Sequence, residues 1–469
     1  MQGHGIKFLK LTIEKKINFA TCERIGFART RSTKKLIFSK FSIEIFKNKI
    51  INKYAMKEFV MLLSSVLFAV LFVYIVLIFL LYLISTFFNR KAKDFKPDVS
   101  IVVPAYNEEK NIKECLSSIC SLNYPKNKLE VIVVDDGSKD STISIIRKFK
   151  NVKLVKQRHL GKVEALNSGV RNSSFPFIFT VDSDTTPGKD CLRDLIRPFA
   201  DKNIGATTGN NRVKNSNSLL TWFQAIEYSM GNLIRNSFST TFNNGIWFSG
   251  SLACYRRSVL ERVGFFKKDT MAEDQDIALE IKKAGYKTIC VSTACGHTIV
   301  PSTIMGLYRQ RVRWWIGALQ SMIKNKELFS ISSSPSIIFL YVNQFWWSFY
   351  AFLSLPLIIF QISYWLPYNS QSAFSLLNYL FRWFSLMGPA YVIYKIPEWG
   401  VSSYTIFGVL SGIITTLLSL LALRMFKEKI TFKNMFAIFF YFPYTIVLNI
   451  MILVTLLRHK FWKSSFYIK

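Results

Sequence analysis

Apolar residues collect at two places along the chain, residues 59–88 and from about 336 to the end, around a middle in which short apolar runs alternate with polar stretches. From Phe59 to Phe88 thirty residues pass without a charge. As a helix that run is about 45 Å long, against a bilayer hydrocarbon core of about 30 Å, so it can span with tilt or overhang. It is too long for the apolar part of a signal peptide. Arg90, Lys91, Lys93 and Lys96 follow at once, and the positive-inside rule then puts the downstream domain in the cytosol. Residues 336–366, 404–423 and 434–457 read as further spans, whereas 373–394 carries Arg382 and reads either as a span or as an interfacial segment. Residues 334–469 therefore hold three to four expected spans.

Between residues 97 and 300 the pattern changes to short β-branched runs separated by helical stretches. Residues 99–104, 129–135, 152–155 and 177–182 read as strands, each nearly continuously apolar, as in a parallel sheet covered on both faces. Helices are expected at 108–120, at 141–148 behind a capping Asp140, at 162–168 closed by Gly169, at 191–200, and at 273–284 stopped by Gly285. Such βα repetition predicts a doubly wound α/β domain whose ligands lie beyond the carboxyl ends of the strands. Residues 301–333, rich in aromatics and Arg, read as amphipathic helices at the membrane surface.

Residues 1–57 form a basic extension whose Lys and Arg a single span would leave outside the cell. A start at Met56 removes that conflict, leaving only Lys57 outside; residues 58–89 are then the first transmembrane helix. The net charge of +32 is spread along the whole chain, so anionic lipid and phosphorylated substrates fit it better than nucleic acid, which is not an expected partner. The seven cysteines include no CxxC pair and read as structural thiols of a reduced compartment.

Acidic and turn-forming residues stand where the expected strands end. Asp135-Asp136-Gly137-Ser138 closes the second strand and Asp182-Ser183-Asp184 the fourth, and in an open α/β sheet those ends face one crevice. Two carboxylates one residue apart can hold a hard divalent cation and leave positions open for phosphate oxygens and water. Glu273-Asp274-Gln275-Asp276 opens a helical pattern, with Asp274 expected to face a cleft while Asp276 caps; the helix dipole alone would also favour acids there. In Gln310-Arg311-Val312-Arg313-Trp314-Trp315 the arginines suit anions and Trp314 suits the apolar face of a sugar, while a snorkelling surface helix is the plainer reading.

The ordered set Pro104-Ala105-Tyr106-Asn107-Glu108, Asp135-Asp136-Gly137-Ser138, Gly161-Lys162 with Ala165-Leu166-Asn167, Asp182-Ser183-Asp184, Glu273-Asp274 and Gln310-Arg311-Val312-Arg313-Trp314 resembles the family 2 processive glycosyltransferases, the group of cellulose, chitin, hyaluronan and poly-N-acetylglucosamine synthases. The resemblance implies a GT-A type nucleotide-sugar-binding domain, a doubly wound, mainly parallel α/β fold, set between transmembrane helices. It implies that Ala105, Tyr106, Glu108 and Asp136 line the uridine pocket and that Lys162 reaches the phosphates. Asp182 and Asp184 would bind the nucleotide and Mg²⁺ or Mn²⁺, and Asp274 would be the catalytic base. Gln310, Arg311, Arg313 and Trp314 would hold the diphosphate and the acceptor sugar, and Glu273 also belongs to the acceptor side. Phe248-Ser249-Gly250-Ser251 matches the acceptor loop less tightly, and Ala272 stands where the family usually has Thr.

The resulting expectation is an inverting hexosyltransferase of the cell (plasma) membrane, multi-pass with a cytosolic catalytic domain, that extends a polysaccharide or oligosaccharide acceptor from a UDP-sugar. N-acetylglucosamine and a β-linked product are favoured. A non-processive enzyme moving one sugar to a lipid carrier is the near alternative, and a non-catalytic membrane transport or scaffold protein is the alternative of another class.

Overall fold

A computed structural model describes residues 33–88, 94–365, 372–401 and 403–458. It divides into two compact units, residues 1–64 and 65–469. Most of the basic extension, and with it the question of a start at Met56, lies outside the residues whose side chains are described. Helix α1 (Thr33–Phe87) contains the expected first span, residues 58–87 being its uncharged and strongly apolar part after Glu58.

The domain that follows is built on an eight-stranded sheet in the order β3-β2-β1-β4-β7-β6-β8-β5. β1 (Val99–Ala105), β2 (Leu129–Asp135), β3 (Val152–Lys156) and β4 (Phe177–Val181) are parallel, as the sequence pattern predicts, with β3 a partly buried edge strand. β5 (Thr186–Pro187) is a two-residue edge piece. β6 (Ile204–Val213) and β8 (Lys287–Thr298) run parallel to each other, and β7 (Leu252–Arg256) is antiparallel to both β4 and β6. The antiparallel β7 matters for function: its entering end lies beside the leaving end of β4, where Asp182 N–H donates to Ser251 O at 3.2 Å.

Helices α2 (Ile112–Cys120), α3 (Thr142–Ile146), α4 (Lys162–Arg171) and α5 (Cys191–Ile196) fill the expected connections. Gly169 does not close α4. It lies inside the helix, where an added Cβ would come 2.2 Å from Val102 Cγ1, so the glycine lets α4 press on β1. A helix absent from the expectations, α6 (Leu219–Phe242), follows β6 and starts with a capping box of Ser218 and Thr221. Next come α7 (Arg257–Val263), α8 (Glu273–Lys283), halted before Gly285 with φ of 88°, and α9 (Ile304–Lys324), capped by Thr303.

The C-terminal region holds α10 (Pro335–Trp365), α11 (Ala373–Trp383), α12 (Met387–Trp399), α13 (Ser403–Met425), α14 (Phe432–Phe439) and α15 (Tyr441–Arg458). Among the described residues three helices are long and apolar enough to cross a membrane: 58–87, 406–425 and 441–458. The expected span at 434–457 is two helices, because Pro443 has no N–H to continue the ladder of α14 and fits instead the first turn of α15. Residues 373–394 likewise fold as two helices of 11 and 13 residues, about 17 and 20 Å long and too short to cross. Their charge is covered locally: the Arg382 guanidinium lies 4.1 Å from the centre of the Tyr391 ring.

Candidate active site

The β1 and β2 ends are stitched together first. Asp136 N–H donates to Ala105 O at 2.9 Å, Asn107 N–H to Ser138 Oγ at 3.0 Å, and Lys139 N–H to Asn107 Oδ1 at 2.8 Å. Asn107 has φ of 54°, a left-handed conformation that asparagine tolerates better than most residues, which explains its place in the turn. Tyr106, 40% exposed, lies over the ring of His159 at 4.0 Å between centroids, and makes a flat surface at the mouth of this turn. Glu108 is raised above its ordinary pKa by burial, and it accepts from Asn111 Nδ2 at 2.8 Å.

Asp136 is 1% exposed and already served: its Oδ1 accepts from Gln157 Nε2 at 2.6 Å and Leu160 N at 2.8 Å, its Oδ2 accepts from Gly161 N at 2.9 Å, and His159 Nδ1 lies 2.8 Å from Oδ2. Its role in this geometry is to fix the loop that delivers Lys162. The neighbouring Asp135, by contrast, keeps one buried oxygen without a partner.

Lys162 begins α4 and joins two of the acidic groups. Its Nζ lies 2.8 Å from Asp182 Oδ1 and 3.1 Å from Glu273 Oε1. Burial would lower its pKa, but the Asp182 and Glu273 charges prevail and raise it, so the lysine is cationic. Burial also pushes Glu273 up, and here the Lys162 and Arg313 charges more than offset it, leaving Glu273 below the usual carboxylate range. Asp184 goes the other way: burial and then the Asp182 charge raise it. Two oxygen-donor carboxylates whose mutual repulsion is only partly relieved by a lysine fit a hard divalent cation. No group of three or more His, Cys, Asp or Glu gathers for a metal among the described residues, so the remaining positions would fall to substrate and water.

Asp274, at the start of α8, faces the loop that precedes β7. Its Oδ2 accepts from Gly250 N at 2.9 Å and its Oδ1 from Gln275 N at 2.8 Å. Burial first and Glu273 second raise its pKa. A Cβ on residue 250 would lie 2.9 Å from Asp274 Cβ, so the approach of loop to carboxylate needs glycine. Ser249 and Ser251 are held from below by Asn211 Nδ2 of β6, at 3.2 and 2.6 Å; sequence reasoning missed this asparagine because it lies in a strand with no apolar run.

Two expectations change. Asp276 does not cap α8; it is 1% exposed and accepts from Lys324 Nζ of α9 at 2.7 Å, tying the two helices together. Arg311, expected beside Arg313 on the diphosphate, instead pairs with Glu227 of α6 at 2.8 Å and lies 4.5 Å from the centre of the Trp314 ring. Arg313 is exposed and close enough to Glu273 and Lys162 to alter their ionisation. Trp314 is 38% exposed, and Gln310 keeps a buried amide oxygen without a partner.

This is a sheet of GT-A type with an acidic centre at the meeting of β4, β7 and α8, and residues 100–264 match glycosyl transferase family 2. The chain carries a family 2 glycosyltransferase domain. It is similar to poly-beta-1,6-N-acetyl-D-glucosamine synthase of Staphylococcus aureus strain COL, 31% identical over 251 residues that cover 50% of this chain and 60% of that protein. The Staphylococcus epidermidis synthase of the same name is 33% identical over 234 residues, covering 48% of this chain and 56% of that one. The matched stretch thus spans about three fifths of the length of these curated relatives. Among solved structures, a mannosyltransferase from Pyrobaculum calidifontis in complex with GDP-Man and Mn²⁺ shares the fold, with a TM-score of 0.52 and 24% identity over 76% of this chain and 98% of that one.

Proposed function

We propose that the chain is an inverting, processive membrane glycosyltransferase that moves a sugar, N-acetylglucosamine from UDP-GlcNAc being favoured, onto a growing β-linked polysaccharide. The observation that carries this reading is the convergence of Asp182, Asp184, Lys162 and Asp274 at one end of one sheet, with Asp274 lying against the 249–251 loop. Ala105, Tyr106 and Glu108 would receive the uridine, with Asp136 shaping the pocket from beneath, and Lys162 and Arg313 would meet the diphosphate beside Gln310. The sugar acceptor would lie against Ser249, Gly250, Glu273 and Trp314.

In the reaction the Asp274 carboxylate takes the proton of an acceptor hydroxyl as its oxygen attacks the anomeric carbon. The bond from that carbon to the β-phosphate oxygen breaks and UDP departs, its charge met by Lys162 and Arg313. Mg²⁺ or Mn²⁺ held by Asp182 and Asp184 would supply Lewis-acid stabilisation of the same diphosphate. The relatives' names support the polymer and the sugar, the apolar helices support a bilayer-embedded enzyme, and the basic residues after residue 88 support a catalytic domain on the cytosolic side.

The test uses the full chain in lipid vesicles with a panel of labelled UDP-sugars. UDP-GlcNAc is expected to give a long product, cleaved by an enzyme specific for β-linked N-acetylglucosamine; a single sugar on lipid would overturn processivity. Asp274→Asn is expected to abolish transfer and leave UDP binding within about twofold, since the base touches the acceptor and not the nucleotide. An active Asp274→Asn enzyme removes the general base from this scheme.

A further inference from the structure

The Arg311–Glu227 pair has a third member. Tyr444 Oη of α15 donates to the same Glu227 Oε2 at 2.5 Å, and Tyr444 is 3% exposed. Glu227 therefore joins three elements: its own α6, the α9 helix that bears the Gln310–Trp314 motif, and α15, one of the helices long enough to cross a membrane. From Glu227 the connection runs on through Arg311, whose guanidinium covers one face of Trp314. Arg311 has little exposure, 11% of its side chain, and burial would lower its pKa were it not for Glu227, which more than restores it.

Resting on the proposed transferase reading, the geometry points to Glu227 as a positioning residue, which with Tyr444 sets the Trp314 indole and its helix against the acceptor from the membrane-spanning helix α15. Three features support positioning over simple packing. The carboxylate serves two donors from two other helices through one oxygen, so both helices are referred to one point. Arg311 Nε remains buried without a partner, so the arginine depends on Glu227 for its charge. The stack of Phe223 on Tyr444, 5.4 Å and 11° apart, and the tilted contact of Tyr228 with Trp314, at 6.1 Å and 50°, flank Glu227 on α6 and join the same three helices. The uridine side of the nucleotide pocket, by contrast, is built on β1, β2 and the turn before α4, elements other than the three this joint connects, and only the diphosphate contacts Gln310 and Arg313 share α9 with it.

That separation makes the inference measurable. Full-length Glu227→Gln, Tyr444→Phe and the double variant are placed in vesicles, and active sites are counted by UDP binding, so that lost folding is not read as lost catalysis. Per UDP-binding site, kcat is expected to fall about tenfold or more in Glu227→Gln, with the donor KM within about threefold, because a misplaced acceptor group costs turnover and not nucleotide affinity. Tyr444→Phe removes one hydroxyl only and is expected to give a smaller fall in the same direction, and the double variant is expected to be no worse than Glu227→Gln, since both changes act on one joint. Glu227→Gln turnover within about twofold of the unmodified enzyme, or additive losses, overturns the inference while leaving the transferase reading in place. Absence of sugar transfer by the unmodified chain instead overturns that reading and the inference with it.

Discussion

At Asp274 burial and the Glu273 charge act in the same direction on the carboxyl, and Gly250 N–H acts against them. A base must be ionised to accept the acceptor proton, so activity is lost as pH falls through this raised pKa and is present above it. The acid limb of kcat is therefore expected above the ordinary aspartate value of about 4. Glu273→Gln takes away one of the raising influences, and the limb is expected to move to lower pH, whatever happens to the plateau. A pH–rate series on the two enzymes checks this, and a limb that moves up or stays fixed removes the electrostatic coupling of the pair. The same residue scale accounts for Asp136, whose acceptors are occupied by its own loop, and for Asn107, whose side chain and left-handed backbone complete the turn under Tyr106.

At the scale of elements, the distance between α8 and α9 decides whether the Asp274 carboxylate and the arginine–tryptophan motif share one space. Gly317 sets it: a Cβ there would lie 2.5 Å from Ala272 N and 2.6 Å from Ala272 Cβ. Ala272, where related enzymes are expected to carry threonine, is thus covered by the α9 backbone and is 8% exposed. Gly317→Ala must push α9 away from the Glu273–Asp274 turn. Displacement by about 1 Å is expected to lower kcat by about a hundredfold. Binding of uridine alone, which the proposal places at β1 and β2, serves as the control, and an enzyme with unchanged turnover denies that this contact matters.

Which elements could be read from the chain follows from how they are buried. β1, β2 and β4 announce themselves because their runs of Val, Ile and Phe are buried. β6 is equally buried but fills its positions with Gly, Thr and Asn, several of whose polar atoms pair internally: Thr207 Oγ1 on Leu195 O at 2.8 Å, Thr208 Oγ1 on Ser249 O at 2.7 Å, Asn210 Nδ2 on Val291 O at 2.7 Å. A strand buried through polar pairing leaves no apolar run to find. Hence Asn211 carries no signal in the sequence, whereas the acidic residues at the ends of β2 and β4 stand directly after apolar runs.

For the whole molecule the remaining question is sidedness, because the broken helices at 373–399 and 432–458 defeat a simple count of alternating spans. The charge following residue 88 argues for a cytosolic catalytic domain. A donor made in the cytosol would then reach the Asp182–Asp184 centre directly. Cys120 offers a direct measurement: it is exposed at the end of α2, whereas Cys115, Cys191, Cys254 and Cys290 are buried and Cys295 is partly so. In a Cys22→Ser chain, which removes the cysteine outside the described residues, a membrane-impermeant maleimide is expected to label Cys120 in inverted vesicles and to leave it unlabelled in intact cells. Labelling of intact cells would put the catalytic domain outside, away from cytosolic nucleotide sugars. It would then require either another donor source or another function for the acidic centre.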